Sequence, residues 1–161
     1  MTTISPLHPS DWPAVRRIYE EGIATGEATF ETAAPADWES WDAGKRPDCR
    51  LVARSADGRV LGWAALSPTS KRPAYAGVCE VSIYVAAEAR GQGVGSALMA
   101  ALITAAQSAG IWTLQSSVFP ENEATIALHL RHGFRILGRR ERIAQLHGVW
   151  RDTLLLERRE L

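Results

Sequence analysis

Two hydrophobic periods alternate along this chain, and their order lays out its elements. Ile4 to Leu7 is a short apolar run suited to a first strand. HPSDWPAV then opens a helix, with Ser10 or Asp11 as N-cap and Pro13 in the first turn. Val15, Ile18, Tyr19 and Ile23 recur at helical spacing, giving a core-facing stripe that ends near Gly22. A second, short helix begins at Pro35 and puts Trp38 and Trp41 on one face. Cys49 to Arg54 and Arg59 to Leu66, on either side of Ala56, Asp57 and Gly58, read as an antiparallel hairpin. A polar connection with two prolines, Ser67 to Gly77, follows.

From Val78 to Val85 the period is two: Cys79, Val81, Ile83 and Val85 share one face, and Glu80, Ser82 and Tyr84 the other. A long apolar helix runs from Gly93 to about Ala109 and stops at Gly110. Ile111 to Phe119 makes a strand ended by Pro120. Asn122 caps a further helix, whose apolar side is Ile126, Leu130 and Ala127 or Leu128 and which Gly133 closes. Phe134 to Leu137 and Val149 to Leu156 are two final strands joined by a basic connection. The order β, α, α, β, β, β, α, β, α, β, β predicts an α+β fold with helices on the faces of one sheet, rather than a doubly wound one. Its 161 residues suit a single domain, 1–161.

Composition narrows the partners. Lys plus Arg and Asp plus Glu are equal at 18 each, which argues against a general nucleic-acid or membrane-surface binder and for a small-molecule partner. Cys49 and Cys79 lie far apart in apolar runs and match no metal-ligand spacing, so reduced core thiols and no metal are expected. The N-terminal MTTISPLHPSDW lacks the basic segment and apolar stretch of a secretory signal, and no run reaches membrane-spanning length. A cytoplasmic location is the expectation.

The candidate chemistry begins where the period-two strand passes into the long helix. Arg90, Gly91, Gln92, Gly93, Val94, Gly95 and Ser96 read RGQGVGS. Alternate glycines let the backbone approach a bulky anion, the unpaired first-turn N–H groups of the helix face it, and Arg90 adds a charge. A phosphate or pyrophosphate suits such a loop. A Walker loop needs a lysine after its last glycine, and a dinucleotide fingerprint needs a different glycine spacing. Neither fits here.

RGQGVG matches the RxxGxG or QxxGxG signature of the GNAT N-acetyltransferases. The chain resembles their phosphinothricin and methionine sulfoximine branch through ATFET, GWAALSP, KRPAYAGVCEVSIYV, GIWTLQSSVFPEN, IALHLRHGF and GVWRDTLLLERR. This resemblance implies acetyl-CoA as acetyl donor and a small-molecule amine as acceptor, and relatives commonly form homodimers. In such a fold two central strands splay after the glycine loop and admit the pantetheine arm. The backbone of Ile83, Tyr84 and Val85 would pair with that arm, with the Val85 N–H stabilising the oxyanion. Asn122 would touch a pantetheine amide, and Gly91 to Ser96 would hold the pyrophosphate.

An amine must lose a proton before it attacks a thioester. By pattern alone Glu80 faces either solvent or a polar cleft; the resemblance makes it the general base, and partial burial along the channel would tune it. His129 stands where many relatives carry a tyrosine that serves the departing thiolate; it would donate a proton or hydrogen-bond the cofactor, although a lone helical His is commonly structural. Phe30 either anchors its loop on the core or lies beside the acceptor. Lys71 and Arg72 could bind an acidic group of the acceptor, Arg72 being suited to a bidentate grip, although a basic loop is often merely solvated; Ala74 is counted with the acceptor site, and the resemblance puts Tyr75 beside the acceptor. His147, Trp150 and Asp152 match a recurring HGxWxD pattern whose role, in the site or at a dimer contact, stays open. Two alternatives remain: the same fold acting on a polyamine, aminoglycoside or protein N-terminus, and a non-catalytic acyl-CoA sensor.

Overall fold

A computed structural model describes residues 1–160. Its strands are β1 (Thr3–Pro6), β2 (Arg50–Arg54), β3 (Val60–Pro68), β4 (Val78–Val85), β5 (Thr113–Val118), β6 (Arg135–Leu146) and β7 (Val149–Arg159). Its helices are α1 (Trp12–Ala24), α2 (Trp38–Ala43), α3 (Val94–Ser108) and α4 (Glu123–Arg131). The strands form one sheet in the order β1-β2-β3-β4-β5-β7-β6, confirming the α+β reading. Every pairing is antiparallel except β4 with β5.

That exception sets up everything functional. β4 pairs with β5 only over Val78–Glu80 against Thr113–Gln115, while it stays on β3 as far as Val85. Beyond Glu80 the two strands part, so one edge of Val81–Val85 is left without a strand partner in the middle of the sheet. This is the splay that the resemblance implied.

Both faces are packed. On one, Trp63 and Tyr84 are cross-strand partners stacked at 5.0 Å, with Tyr19 of α1 and Trp41 of α2 edge-on to Trp63. On the other, α3 buries Leu98, Met99 and Leu102 completely, each such side chain contributing about 2 kcal/mol. Gly62 permits that approach: a methyl group there would lie 2.9 Å from the Tyr84 carbonyl oxygen and 3.0 Å from Leu98.

Several boundaries differ from the sequence reading, each for a local reason. Asp37, not Pro35, starts α2, because its Oδ1 accepts from the Ser40 N–H at 2.9 Å. α1 runs past Gly22 to Ala24, since buried Gly22 lies under the Tyr84 ring rather than ending the helix. On α4 Leu130 is exposed, and His129 takes the buried position instead. The expected basic connection is strand: β6 extends to Leu146 as an outer edge, where arginines pair with acids of β7, Arg135 with Glu157 and Arg139 with Asp152. Asp152 also accepts from the Arg142 N–H at 2.8 Å, pinning an irregular stretch where Arg142 has φ 46°. His147 and Gly148, both at positive φ, form the tight turn of this hairpin, and Trp150 lies exposed beside it.

Candidate active site

The glycine loop between β4 and α3 is built by backbone. Gly91 and Gly93 adopt φ of 76° and 81°, the left-handed region that a side chain disfavours by about 1–2 kcal/mol. Gly93 is the N-cap of α3 and offers no side-chain bond to the first turn, so those amides point outward. Gln92 ties the loop to the preceding turn through Glu88 O at 3.2 Å. Ser96 is instead held by His132, Oγ to Nε2 at 2.8 Å, which joins the head of α3 to the tail of α4. Behind the loop, Gly95 leaves its neighbours Val85 and Leu128 at ordinary contact distance.

From here a cavity of about 480 Å³ runs along the free end of β4, with Arg90 and Leu128 in its wall. It adjoins a second cavity of about 370 Å³, with which it shares Ala28, Ile83, Tyr84 and Asn122 at the parted strands. The second cavity is lined by Glu80, Lys45, Glu31 and Phe30 and also by Ser116, His129 and Thr153. Phe30 packs edge-on against Phe119 at 4.9 Å, so it both anchors its loop and forms the cavity wall.

Glu80 lies on this wall and is exposed, so the partial burial expected of it is not present. Its neighbours belong to the face of β3 and β4 that includes Ser67, Ser82 and Tyr84. Burial pushes the phenols of Tyr19 and Tyr84 above their ordinary values, keeping this wall uncharged where it meets the aromatic cluster.

His129 is 3% exposed and T-shaped against Phe134. Its Nδ1 lies 2.7 Å from the Thr125 carbonyl oxygen, which can only accept, so Nδ1 carries the proton. Burial holds the ring below its ordinary value of 6.5 despite that bond. The neutral ring therefore presents a lone pair at Nε2, which finds no hydrogen-bond partner in the protein. Thr153 Oγ1, 3% exposed and lining the same cavity, is likewise unpartnered. Both atoms are closed off from solvent and lack a partner, on residues that line this cavity. In this state His129 accepts rather than donates, which favours a role other than acid to a thiolate.

Asn122 spends its side-chain amide within the protein. Oδ1 accepts from the Thr125 N–H and Nδ2 donates to Glu27 O, each at 3.2 Å, fastening α4 to the 25–31 loop. Arg151 reinforces that loop through Gly26 O, Glu27 and the face of Phe119. Arg72, Ala74 and Tyr75 lie on the exposed turn before β4, with the Arg72 guanidinium over the Tyr75 ring; none lines either cavity. Lys45, Ser116 and Thr153 do line the second cavity and had no signal in the sequence. Cys49 and Cys79 are buried free thiols, both raised by burial, Cys49 to about 11. Among the described residues no group of three metal-ligating side chains exists, and no helix is long and apolar enough to cross a membrane.

Comparison with known proteins fits this geometry. The acetyltransferase (GNAT) family matches residues 12–134. The chain is 33% identical over 152 residues to the L-methionine sulfoximine/L-methionine sulfone acetyltransferase of Pseudomonas paraeruginosa, covering 92% of this chain and 88% of that protein. It is 33% identical over 165 residues to the phosphinothricin N-acetyltransferase of Alcaligenes faecalis, covering 97% and 81% respectively. The structure of the phosphinothricin acetyltransferase of Sinorhizobium meliloti in complex with acetyl-CoA matches with a TM-score of 0.87 and 29% identity, over 99% of this chain and 88% of that one. A glycine loop at the head of α3, a sheet parted between β4 and β5, and these likenesses converge: the chain belongs to the GNAT family of acetyltransferases.

Proposed function

We propose that this acetyltransferase moves the acetyl group of acetyl-CoA to the α-amino group of a small amino-acid analogue of the phosphinothricin or methionine sulfoximine type. One observation carries the reading: Glu80 stands on a cavity that shares the wall residues Ala28, Ile83, Tyr84 and Asn122 with the cavity in the gap beside β4. Such adjoining cavities let donor and acceptor meet end to end in a ternary complex, with no covalent enzyme intermediate.

Acetyl-CoA, when bound, supplies an activated carbonyl. Arg90 and the amides of Gly91 to Ser96 suit its pyrophosphate, and the free edge at Ile83, Tyr84 and Val85 suits its pantetheine amides. Leu128 and Val85 give that channel an apolar lining. Glu80 accepts the proton of the acceptor's ammonium, so that the neutral amine attacks. His129 lines the same cavity, and its neutral ring keeps an unpartnered Nε2 that can accept a hydrogen bond. Phe30 closes the acceptor end and excludes water. The exposed Val149 and Trp150 on the β6–β7 hairpin support a homodimer, which light scattering tests.

The decisive assay follows thiol release from acetyl-CoA against phosphinothricin, methionine sulfoximine, methionine sulfone, plain amino acids, spermidine and an aminoglycoside. Turnover confined to the amino-acid analogues is expected. Turnover with the polycations alone would remove this acceptor class, and donor binding without any turnover would point to a sensor.

A further inference from the structure

Lys45 is the one cationic side chain on the acceptor cavity, and it stands among Glu27, Glu31 and Glu80. Its position is built rather than incidental. The Lys45 N–H donates to Asp42 O at the end of α2, and the Lys45 carbonyl accepts from Arg50 Nη2 at 2.7 Å. Arg50 is itself 7% exposed, paired with Asp42 and packed against the faces of Trp38 and Trp41 at 5.4 and 5.2 Å. A buried arginine and two tryptophans thus fix the turn from which Lys45 projects.

The ammonium reaches Ser67 Oγ at 3.1 Å, and Ser67 is the cross-strand partner of Glu80. Facing residues of adjacent antiparallel strands share one side of the sheet, so Lys45 Nζ and the Glu80 carboxylate enter the cavity side by side. Yet among the described residues neither takes an ion-pair partner within 4.0 Å. Unlike charges set close and left apart are complementary to a guest carrying both charges on one carbon. Burial lowers the Lys45 pKa while Glu80 and Glu31 oppose that shift, as expected of a cation held partly out of water by nearby carboxylates.

We propose that Lys45 is a specificity-determining residue that receives the acceptor's carboxylate, so that the site selects a zwitterionic α-amino acid with its ammonium toward Glu80. This assignment rests on the acceptor class proposed above and sharpens it. A polyamine would place its second positive charge against Lys45, whereas an α-carboxylate gains a charge-assisted hydrogen bond there. The exposed arginine of the turn before β4 is not needed for this contact.

The test pairs methionine sulfone with 3-(methylsulfonyl)propylamine, which is the same acceptor without its carboxylate. Kinetics would be measured for the wild type, Lys45→Met and Lys45→Arg. Loss of the contact is expected to raise KM for methionine sulfone by about 10- to 100-fold in Lys45→Met. KM for the amine and for acetyl-CoA, and kcat, should hold, and Lys45→Arg should recover much of the loss. An unchanged melting temperature and acetyl-CoA KM confirm that the variant is folded. A fall in kcat by one factor for both acceptors would overturn the assignment and leave Lys45 as a support for Glu80. No change with either acceptor would also overturn it. If the wild type acetylates neither the sulfone nor any other amino-acid analogue, the acceptor class itself fails, and the Lys45 assignment falls with it.

Discussion

The donor and acceptor ends of the proposed active site are made of different material. At the donor end the working groups are backbone: the left-handed Gly91 and Gly93, the open amides of α3 and the unpaired edge of β4. At the acceptor end they are side chains from separate segments: Phe30 from a loop, Lys45 from a turn, Glu80 from β4, His129 from α4 and Thr153 from β7. A backbone site needs only the right conformations, which a few glycines specify. A side-chain site needs several elements packed in register, so a local change can retune it without disturbing the donor. That division suits an enzyme family in which one donor meets many acceptors.

The largest effect expected from this contrast is at Glu80. Glu80→Gln should lower kcat by at least about 100-fold, with little change in either KM, because it removes a proton acceptor and no volume. Steady-state kinetics at saturating acetyl-CoA check this, and an unimpaired kcat would break the idea that the acceptor end carries the chemistry. Gly93→Ala comes next. A Cβ in the left-handed region should raise the acetyl-CoA KM about tenfold, the equivalent of 1–2 kcal/mol, while leaving the acceptor KM alone. Equal effects on both substrates would show that the two ends are not separable.

Asn122 lies where the ends join. Asn122→Ala removes the cap of α4 and the bond to Glu27 O, and about 1 kcal/mol of stability should be lost in urea titration. The acceptor KM should rise with it, since the 25–31 loop carries Phe30. The smallest effect concerns His129 and pH. The folded ring titrates below the ordinary 6.5, so at pH values between the two the unfolded state binds more protons. Stability should therefore fall as pH drops below about 6.5, and this slope should flatten in His129→Gln. A slope identical in the variant would place the acid sensitivity elsewhere.

How far the site could be read in advance follows the same division. The RGQGVG turn was legible because glycine identity reports backbone conformation directly; period two placed Glu80 on a strand face, but only the resemblance made it a candidate base. Lys45 was not, because in AGKRPDC it looks like any solvated turn cation; only the Arg50 clamp turns it inward. His129 was named by resemblance, but its tautomer depends on a carbonyl one helical turn away. The extension of β6 beyond Leu137 was missed for a related reason. Its arginines read as a loop until β7 supplies the acids and the pairing edge.

The sequence by itself determined the element order, the anion loop, the strand carrying Glu80 and the fold class, since periodicity, glycine and proline act over a few neighbouring residues. Only the tertiary structure decided where β4 and β5 part, that Lys45 stands beside Glu80, and that His129 and Thr153 line one cavity, each with a buried polar atom left unpartnered. Those are contacts between residues tens of positions apart, and no local pattern encodes a distance across the sheet.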